Sequence, residues 1–148
     1  MTVTQHLGNL FHSGEKAIGH GVNVYGVMGA GIAVGFKNEY PDMFEYYAAA
    51  CREKTLTPGR VLFWRDPVKP SVYNIASQDA PGANAQFDWL EDGLTRALTH
   101  AKAQGFTRIG LPRIGCGIGG LTWDEVLPLY ERLSAEHGVD IAVWFKQP

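Results

Sequence analysis

The sequence predicts an α/β sandwich built on a largely parallel sheet. Segments with the short apolar or alternating pattern of strands recur along the chain, with longer segments of helical periodicity between them. Hydrophobic residues make up 45% of the 148 residues and charged residues 19%, a balance typical of a globular protein. This length is that of one ordinary domain, so we expect a single domain over residues 1–148.

The first half of the chain is predicted to hold four strands and a helix that a proline interrupts. The strands are expected at residues 2–7, 17–24, 60–64 and 71–76. Helical segments are expected at residues 32–38 and 43–53, on either side of Pro41. Residues 77–86 are polar and contain glycine, which favours a loop.

The second half is predicted to alternate two long helices with two strands. Apolar residues repeat at helical spacing over residues 87–104, and a buried strand is expected at residues 107–111. Thr122 and Glu125 have the three-residue spacing of a capping box, which predicts that a second helix begins there. The last strand is expected at residues 140–145.

Two stretches are rich in glycine: residues 26–33 (loop one) and residues 112–121 (loop two). Each follows a predicted strand and precedes a predicted helix, which is where open α/β sheets bind ligands. A helix start has unpaired N–H groups and a partial positive charge, and glycine lets the backbone approach an anion closely. Two such loops facing each other are expected to hold a diphosphate. For either loop alone, the plainer alternative that its glycines only make turns stays open.

The same residues argue against several other functional classes. Neither loop continues as Gly-Lys-Ser/Thr, and neither is followed by the acid of a dinucleotide fingerprint, which argues against an NTPase and a nicotinamide dehydrogenase. Cys51 and Cys116 are the only cysteines and have neither CxxC nor zinc spacing. We therefore expect no metal and no other cofactor.

Charge and hydrophobicity set the expected partners and location. The formal net charge is −2 and there is no run of Lys or Arg, which argues against nucleic acid as the main partner. The first residues lack the pattern of a signal peptide, and the apolar runs are too short to span a bilayer. A cytoplasmic protein with no membrane partner is expected, and a monomer is the default for one domain.

The two loops carry a specific resemblance. Val22-Asn23, the stretch Gly-Val-Met-Gly-Ala-Gly-Ile-Ala of loop one, and Pro-Arg-Ile-Gly-Cys-Gly-Ile-Gly-Gly-Leu of loop two with Trp123 resemble the macrodomain family. The chain is most similar to the branch with terminal ADP-ribose protein glycohydrolase and the macrodomain antitoxins of DNA-modifying toxins. The resemblance covers almost the whole chain. It implies a three-layer α/β/α sandwich that binds ADP-ribose.

The resemblance implies an adenine site near both ends of the chain. Gly8-Asn9-Leu10 stands where the family has Gly-Asp-Ile/Leu, which implies that Asn9 and Leu10 lie beside the adenine. Asn9 can accept a hydrogen bond from the adenine through its carbonyl oxygen but lacks the charge of aspartate. The alternative is that Asn9 is only a turn or cap residue. Trp144 matches an aromatic residue that stacks on adenine in relatives, with core packing as its alternative and Phe145 as the alternate stacking residue.

The resemblance also implies contacts to the rest of the ligand. Asn23 matches an asparagine near the distal ribose, and its alternative is a turn former at a strand end. Residues of loop one are implied to surround the distal ribose and adjoining phosphate: Gly29, Ala30, Gly31, Ile32 and Ala33. Residues of loop two are implied to bind phosphate, chiefly through main-chain N–H groups: Ile114, Gly115, Cys116, Gly117, Ile118 and Gly119.

The catalytic pair of the glycohydrolase branch is not found at the matching positions. Ser77-Gln78-Asp79 stands where that branch has a lysine, and Gly119 stands where it has an aspartate. Asn23, Gln78 and Asp79 are therefore the candidate catalytic residues. Asp79 would accept a proton if it faces the cleft, and its alternative is a turn residue. Gly119 is expected to leave space beside the distal ribose for a water molecule.

The expected function is hydrolysis of ADP-ribose esters on protein Asp or Glu, so the expected partners are ADP-ribose and ADP-ribosylated protein. Two alternatives stay open. The first is a non-catalytic ADP-ribose reader, which the missing lysine and aspartate favour. The second is an ADP-ribose 1″-phosphate phosphatase, an activity found in similar small macrodomains. Cys116 is not favoured as a nucleophile, because nothing in the sequence places a histidine beside it.

Overall fold

A computed structural model of the chain describes residues 2–146. Residues 1, 147 and 148, which complete the domain expected from the sequence, lie outside the described residues. The described chain forms one six-stranded sheet with four α-helices. The strands are β1 (Val3–Leu7), β2 (Ala17–Val22), β3 (Val61–Trp64), β4 (Ser71–Ala76), β5 (Arg108–Leu111) and β6 (Asp140–Phe145). The helices are α1 (Ile32–Glu39), α2 (Pro41–Arg52), α3 (Phe87–Ala103) and α4 (Trp123–His137).

The sheet is mixed and largely parallel, as the sequence predicts. Its strand order is β1-β6-β5-β2-β4-β3, and every neighbouring pair is parallel except β3 with β4. From β2 the chain continues to β3 and β4 on one side and then crosses to β5 on the other. The order therefore reverses between β2 and β5, and this switch point is where α/β sheets open a ligand crevice.

Helices cover both faces of the sheet, which gives the predicted three layers. On one face, apolar residues of α3 and α4 such as Leu94 and Leu129 pack with Tyr73 and Ile75 of β4. On the other face, residues of α1 and α2 pack with Ile18, Val22 and Val72. Central strands are buried on both faces, and all six residues of β4 are buried.

The helix and strand boundaries differ from the predictions by at most two residues, and local bonds explain several differences. β2 ends at Val22, because the side chain of Asn23 accepts a hydrogen bond from the N–H of Tyr25 and turns the chain. α2 begins at Pro41, a first-turn position where the missing N–H is not needed. α4 begins as predicted, with the Glu125 carboxylate accepting from the N–H of Thr122 at 3.3 Å.

One short element was not predicted. Residues Leu10–His12 form a turn of 3₁₀ helix directly after β1. Asn9 caps it, since its side-chain oxygen accepts from the N–H of Phe11 at 2.9 Å. Within residues 2–146 no helix is long and apolar enough to cross a membrane, and no cluster of metal-binding side chains is found.

Candidate functional site

Loops one and two face each other across a cleft at the carboxyl ends of β2 and β5. The cleft has two parts. The loop pocket, about 550 Å³, is lined mainly by loops one and two. The edge pocket, about 620 Å³, lies between the 3₁₀ turn, α1 and the end of β6. Four residues line both pockets and mark the junction between them: Gly31, Ile32, Pro112 and Arg113.

Loop one brings unpaired main-chain N–H groups to this junction. Gly31 precedes α1 with a φ of 60°, a left-handed conformation that favours glycine. The N–H groups of residues 29–33 donate to no atom of residues 2–146. The helix start adds its partial positive charge at the same place. All five of these residues were expected at the ligand from the sequence, and all five line the loop pocket.

Loop two brings a second set of unpaired N–H groups to the opposite wall. The N–H groups of Gly115, Gly117, Ile118 and Gly119 have no acceptor within the described residues, and all four residues line the loop pocket. The Ile118 side chain reaches back across the cleft, and a Cβ built on Gly31 would lie 3.6 Å from its Cδ1. The two loops therefore nearly meet above the junction.

Cys116 differs from its neighbours in loop two. Its N–H donates to the Arg113 carbonyl at 3.2 Å, so it is not free for a ligand. Its thiol donates to the carbonyl of Ile114, and the residue is not part of the pocket lining. Burial raises the pKa of the Cys116 thiol to about 11. These observations leave Cys116 without the free N–H expected of it, and the raised pKa keeps its thiol protonated.

Two tyrosines anchor the loops from the helices beneath them. The hydroxyl of Tyr47, on α2, donates toward the Asn23 carbonyl at 2.8 Å. The hydroxyl of Tyr130, on α4, donates to the Pro112 carbonyl at 2.7 Å and accepts from the N–H of Ile114 at 3.1 Å. Burial raises the pKa of both tyrosines, so both keep the proton that they donate. Sequence reasoning missed both anchors.

Asn23 lines the loop pocket, and its side chain also shapes loop one. Its oxygen accepts from the N–H of Tyr25 at 2.9 Å and lies 3.0 Å from the Tyr47 hydroxyl. Its amide nitrogen donates to the Val27 carbonyl at 3.0 Å. The alternative interpretation as a turn former is therefore what the structure shows. One amide hydrogen stays free for a ligand in the pocket.

Residues 77–86 form a third wall of the loop pocket, which the sequence analysis described only as a loop. The N–H of Val24 donates to the Asp79 carbonyl at 3.2 Å, which ties the wall to loop one. The N–H of Ala85 donates to the Gly119 carbonyl at 3.1 Å, which ties it to loop two. The wall therefore fixes the spacing of the two glycine loops.

The structure separates the two catalytic candidates in this wall. Asp79 is exposed and does not line the pocket, so the prediction of a proton acceptor facing the cleft is corrected in favour of the turn alternative. Gln78 does line the pocket. Its amide nitrogen donates to the carbonyls of Ala80 at 2.7 Å and Gly82 at 3.2 Å, so it mainly holds the wall together.

The position that a side chain of residue 119 would take is already filled, so the glycine does not itself open the space predicted for a water molecule. A Cβ built on Gly119 would lie 2.9 Å from the backbone of Gly115 and 3.0 Å from the Ala85 side chain. The glycine is required because loop two folds against itself and against the third wall at this point. An aspartate or an aromatic residue does not fit here without a shift of the backbone.

Ser77 contributes a hydroxyl to the floor of the loop pocket. The residue is 1% exposed, lines the pocket, and its hydroxyl has no hydrogen-bond partner within residues 2–146. It fits because position 21 is glycine, where a Cβ would lie 2.6 Å from the Ser77 oxygen. Ser77 and Arg113 are therefore two polar side chains of this pocket that the described fold leaves largely unused.

The edge pocket contains the residues implicated in adenine binding. Asn9, Leu10, Trp144 and Phe145 all line it. The Asn9 oxygen caps the 3₁₀ turn, as its structural alternative predicts. One indole face of Trp144 stacks on His6 at a centroid distance of 4.7 Å, and the ring also packs in the core between the sheet and α1. Stacking on a base by Trp144 or by Phe145 stays a prediction.

The charged side chains lining the two pockets within the described chain are Arg113 and Lys146, and both are cations. Among residues 2–146, no carboxylate, histidine or lysine lines the loop pocket. The site is therefore built to attract an anion through backbone N–H groups and a guanidinium. It has no side chain suited to act as a general acid or base.

Comparisons with known proteins agree with this geometry. A family model described as Macro domain matches residues 20–130. A DNA ADP-ribosyl glycohydrolase of Thermus aquaticus is 32% identical over 145 residues, which are 95% of this chain and 40% of that protein. The chain thus spans about two fifths of the length of that curated relative.

Solved structures show the same fold. The macrodomain of Mycobacterium tuberculosis DarG has a TM-score of 0.90 and 26% identity, and the match covers 98% of both chains. The macrodomain of Thermus aquaticus DarG has a TM-score of 0.87 and 29% identity, and the match covers 99% of this chain and 98% of that one.

Proposed function

The chain belongs to the macro domain family, and from that premise we propose that it binds ADP-ribose and hydrolyses ADP-ribosyl groups from a modified acceptor. The observation that carries the proposal is the pair of facing loops. Between them they present nine main-chain N–H groups, those of residues 29–33 and of Gly115, Gly117, Ile118 and Gly119, without acceptors in the described chain. Such N–H groups at helix starts bind phosphate.

The proposed pose follows from the shapes of the two pockets. The adenine occupies the edge pocket beside Trp144 and Phe145, and the distal ribose occupies the loop pocket beside Asn23 and Ser77. The diphosphate then crosses the junction, where the N–H groups of Gly31 and Ile32 are unpaired. This places the anionic part of the ligand where the positive end of α1 lies.

The proposed reaction uses water and the ligand's own groups. The water oxygen bonds to C1″ of the distal ribose, the bond from C1″ to the acceptor breaks, and the acceptor atom takes up a proton. Within the described residues no carboxylate or histidine lines the loop pocket, so a phosphate oxygen of the ligand takes the proton of the attacking water and passes it to the leaving acceptor atom. The protein contributes position and orientation, through Ser77 and the free amide hydrogen of Asn23.

The acceptor favoured by the comparisons is DNA, since the Thermus aquaticus relative is named a DNA ADP-ribosyl glycohydrolase. The loop pocket suits such an acceptor, because two apolar residues that line it, Val27 and Ile118, are 45% and 56% exposed. The expectation against nucleic acid rested on the missing basic stripe. That argument does not apply to DNA held through a covalently attached ADP-ribose. Protein Asp or Glu esters remain the second acceptor to test.

The test is release of ADP-ribose by the purified protein from a modified DNA oligonucleotide and from ester-modified protein. The matched control is Gly117→Glu, because a Cβ at position 117 meets nothing within 4 Å and the added charge enters the pocket. We expect turnover by the wild type on the DNA substrate and none by the variant. Equal release by both proteins contradicts the proposal, and release from the ester alone reassigns the acceptor.

A second candidate function is a non-catalytic reader of ADP-ribose. It is favoured by the absence of acid or base side chains in the loop pocket within the described residues. If the protein binds ADP-ribose but releases it from neither substrate, the reader function is the correct one. The phosphatase alternative is tested with the same preparation. Release of inorganic phosphate from ADP-ribose 1″-phosphate would distinguish it from both the hydrolase and the reader.

A further inference from the structure

We propose that Arg113 is a cationic contact for the diphosphate at the junction of the two pockets. This inference rests on the proposed function and adds a charged side chain to a site otherwise formed by main-chain N–H groups. Arg113 is the second residue after β5, is half-buried, and lines both pockets. A ligand that spans the pockets must pass it.

Two aromatic rings hold the guanidinium in place. The Cζ of Arg113 lies 4.1 Å from the centroid of the Phe145 ring and 5.1 Å from that of Trp123. Stacking of this kind binds the flat faces of a guanidinium and leaves the N–H groups at its edge available. The side chain is therefore oriented before a ligand arrives, which reduces the entropy lost on binding.

The donors of Arg113 are largely unused. Its Nη2 has one weak contact, 3.5 Å to the side-chain oxygen of Gln5. Its Nε is buried with no hydrogen-bond partner. No carboxylate lies within salt-bridge distance among residues 2–146, whereas Arg108 and Arg132 both have such partners.

An arginine with no counter-ion and a buried, unpaired donor is costly unless something else supplies the acceptor. Phosphate supplies both the charge and the oxygen atoms, and hydrogen bonds between arginine and phosphate are among the stronger ones in proteins. Lys146, exposed at the rim of the edge pocket, adds positive charge at the same end of the cleft. The diphosphate is thus bound from one side by the N–H groups of Gly31 and Ile32 and from the other by Arg113.

A purely structural Arg113 would only pack between its two rings, and a graded set of ligands separates the two roles. ADP-ribose, ADP and adenosine are titrated into the wild type and into Arg113→Gln by calorimetry. We expect Arg113→Gln to bind ADP-ribose and ADP with an affinity about tenfold or more below that of the wild type. This is the loss expected when hydrogen bonds to a charged group are removed. Adenosine, which has no phosphate, should bind both proteins equally.

The matched control is Arg96→Gln, which removes the same charge from an exposed position of α3 outside both pockets. It should change no affinity. Arg113→Lys keeps the positive charge but lacks the planar guanidinium group. Its affinity for ADP-ribose should therefore lie between that of the wild type and that of Arg113→Gln. In the wild type, added salt should weaken ADP-ribose binding and leave adenosine binding unchanged.

Three results have distinct meanings. Wild-type affinity of Arg113→Gln for ADP-ribose overturns the inference and leaves the proposed function standing. An equal loss for adenosine also overturns it, because it shows that Arg113 shapes the edge pocket and does not bind phosphate. If Arg113→Gln does not fold, Arg113→Lys and the salt dependence of the wild type test the inference instead. Wild-type affinity of Arg113→Lys together with ADP-ribose binding that salt does not weaken would overturn it. A wild type that binds no ADP-ribose refutes the proposed function itself.

Discussion

The Tyr47 hydroxyl lies 2.8 Å from the carbonyl oxygen of Asn23 and 3.0 Å from its side-chain oxygen. Tyr47 lies on α2 and is fully buried. Its hydroxyl therefore connects Asn23, the first residue after β2, to the hydrophobic core. The same hydroxyl lies 3.3 Å from the Val27 carbonyl. The conformation of loop one is therefore tied to the packing of α2.

Tyr47→Phe should loosen loop one. The loss of one buried donor with two or three acceptors costs about 1–2 kcal/mol of unfolding free energy. We expect ADP-ribose affinity to fall several-fold in addition, because the N–H groups of loop one are no longer fixed in advance. Calorimetry and urea unfolding measure the two effects.

Tyr40→Phe is the matched control, because the Tyr40 hydroxyl donates to the Pro70 carbonyl at 2.9 Å, outside both pockets. It should lose a similar amount of stability and no affinity. If the two variants bind ADP-ribose equally well, the anchor of loop one has no role in binding.

Gly119→Ala should damage the protein, whereas Gly117→Ala should not. The added methyl group at position 119 meets the Gly115 backbone at 2.9 Å, while position 117 has nothing within 4 Å. Forcing a methyl group into packed backbone costs about 1–3 kcal/mol. Thermal unfolding of both variants checks this, and equal midpoints for the two would contradict the structure of loop two.

Ser77→Ala should reduce turnover and leave binding intact. The Ser77 hydroxyl faces the loop pocket and is not used elsewhere in the described chain, so its loss should affect the attacking water more than the diphosphate. We expect kcat to fall by about tenfold to a hundredfold with the Kd for ADP-ribose nearly unchanged.

The control for this prediction is Ser71→Ala, at the opposite end of β4, where the hydroxyl accepts from the N–H of Asp66. It should keep the wild-type kcat. A fall in affinity for Ser77→Ala equal to the fall in kcat would assign Ser77 to ribose binding instead.

His20 should make the protein sensitive to acid. It is fully buried, stacks on Phe36 at 3.7 Å and pairs with Asn74, and burial lowers its pKa to about 4. The unfolded chain takes up the proton below about pH 6.5, while the folded chain does so only near its lowered pKa. The unfolding free energy should therefore fall as pH decreases through this window, by about 3 kcal/mol.

Urea unfolding at pH 7 and pH 4 measures the effect. His20→Gln keeps a donor for Asn74 but does not titrate, so it should be less stable at pH 7 and lose less on acidification. His12→Gln, at an exposed position, should behave as the wild type does. An unchanged pH dependence in His20→Gln would show that other groups cause the acid sensitivity.

The sequence predicted every strand, every α-helix and both loops, because those features depend on local periodicity and on glycine. The pairing of loops one and two also followed from local order, since each comes after a parallel strand. The 3₁₀ turn at Leu10 was missed because it depends on a single cap by Asn9.

Contacts between distant residues were harder to predict. The third wall is held by bonds such as Ala85 to Gly119 and Val24 to Asp79, and nothing in its polar composition indicates them. The same wall explains in part why a side chain does not fit at position 119, since Ala85 would lie 3.0 Å from its Cβ. Arg113 was not among the predicted site residues, because its position depends on Phe145 and Trp123 from two other elements.

Titration of the purified protein with ADP-ribose in a calorimeter tests the central claim most directly, with Gly117→Glu measured alongside. We expect heat of binding from the wild type, one site per chain, and an increase in unfolding free energy of about 2.7 kcal/mol at a hundredfold excess of ligand over Kd. The variant should give neither. No heat and no thermal shift with the wild type would contradict the assignment of the facing N–H groups to a diphosphate.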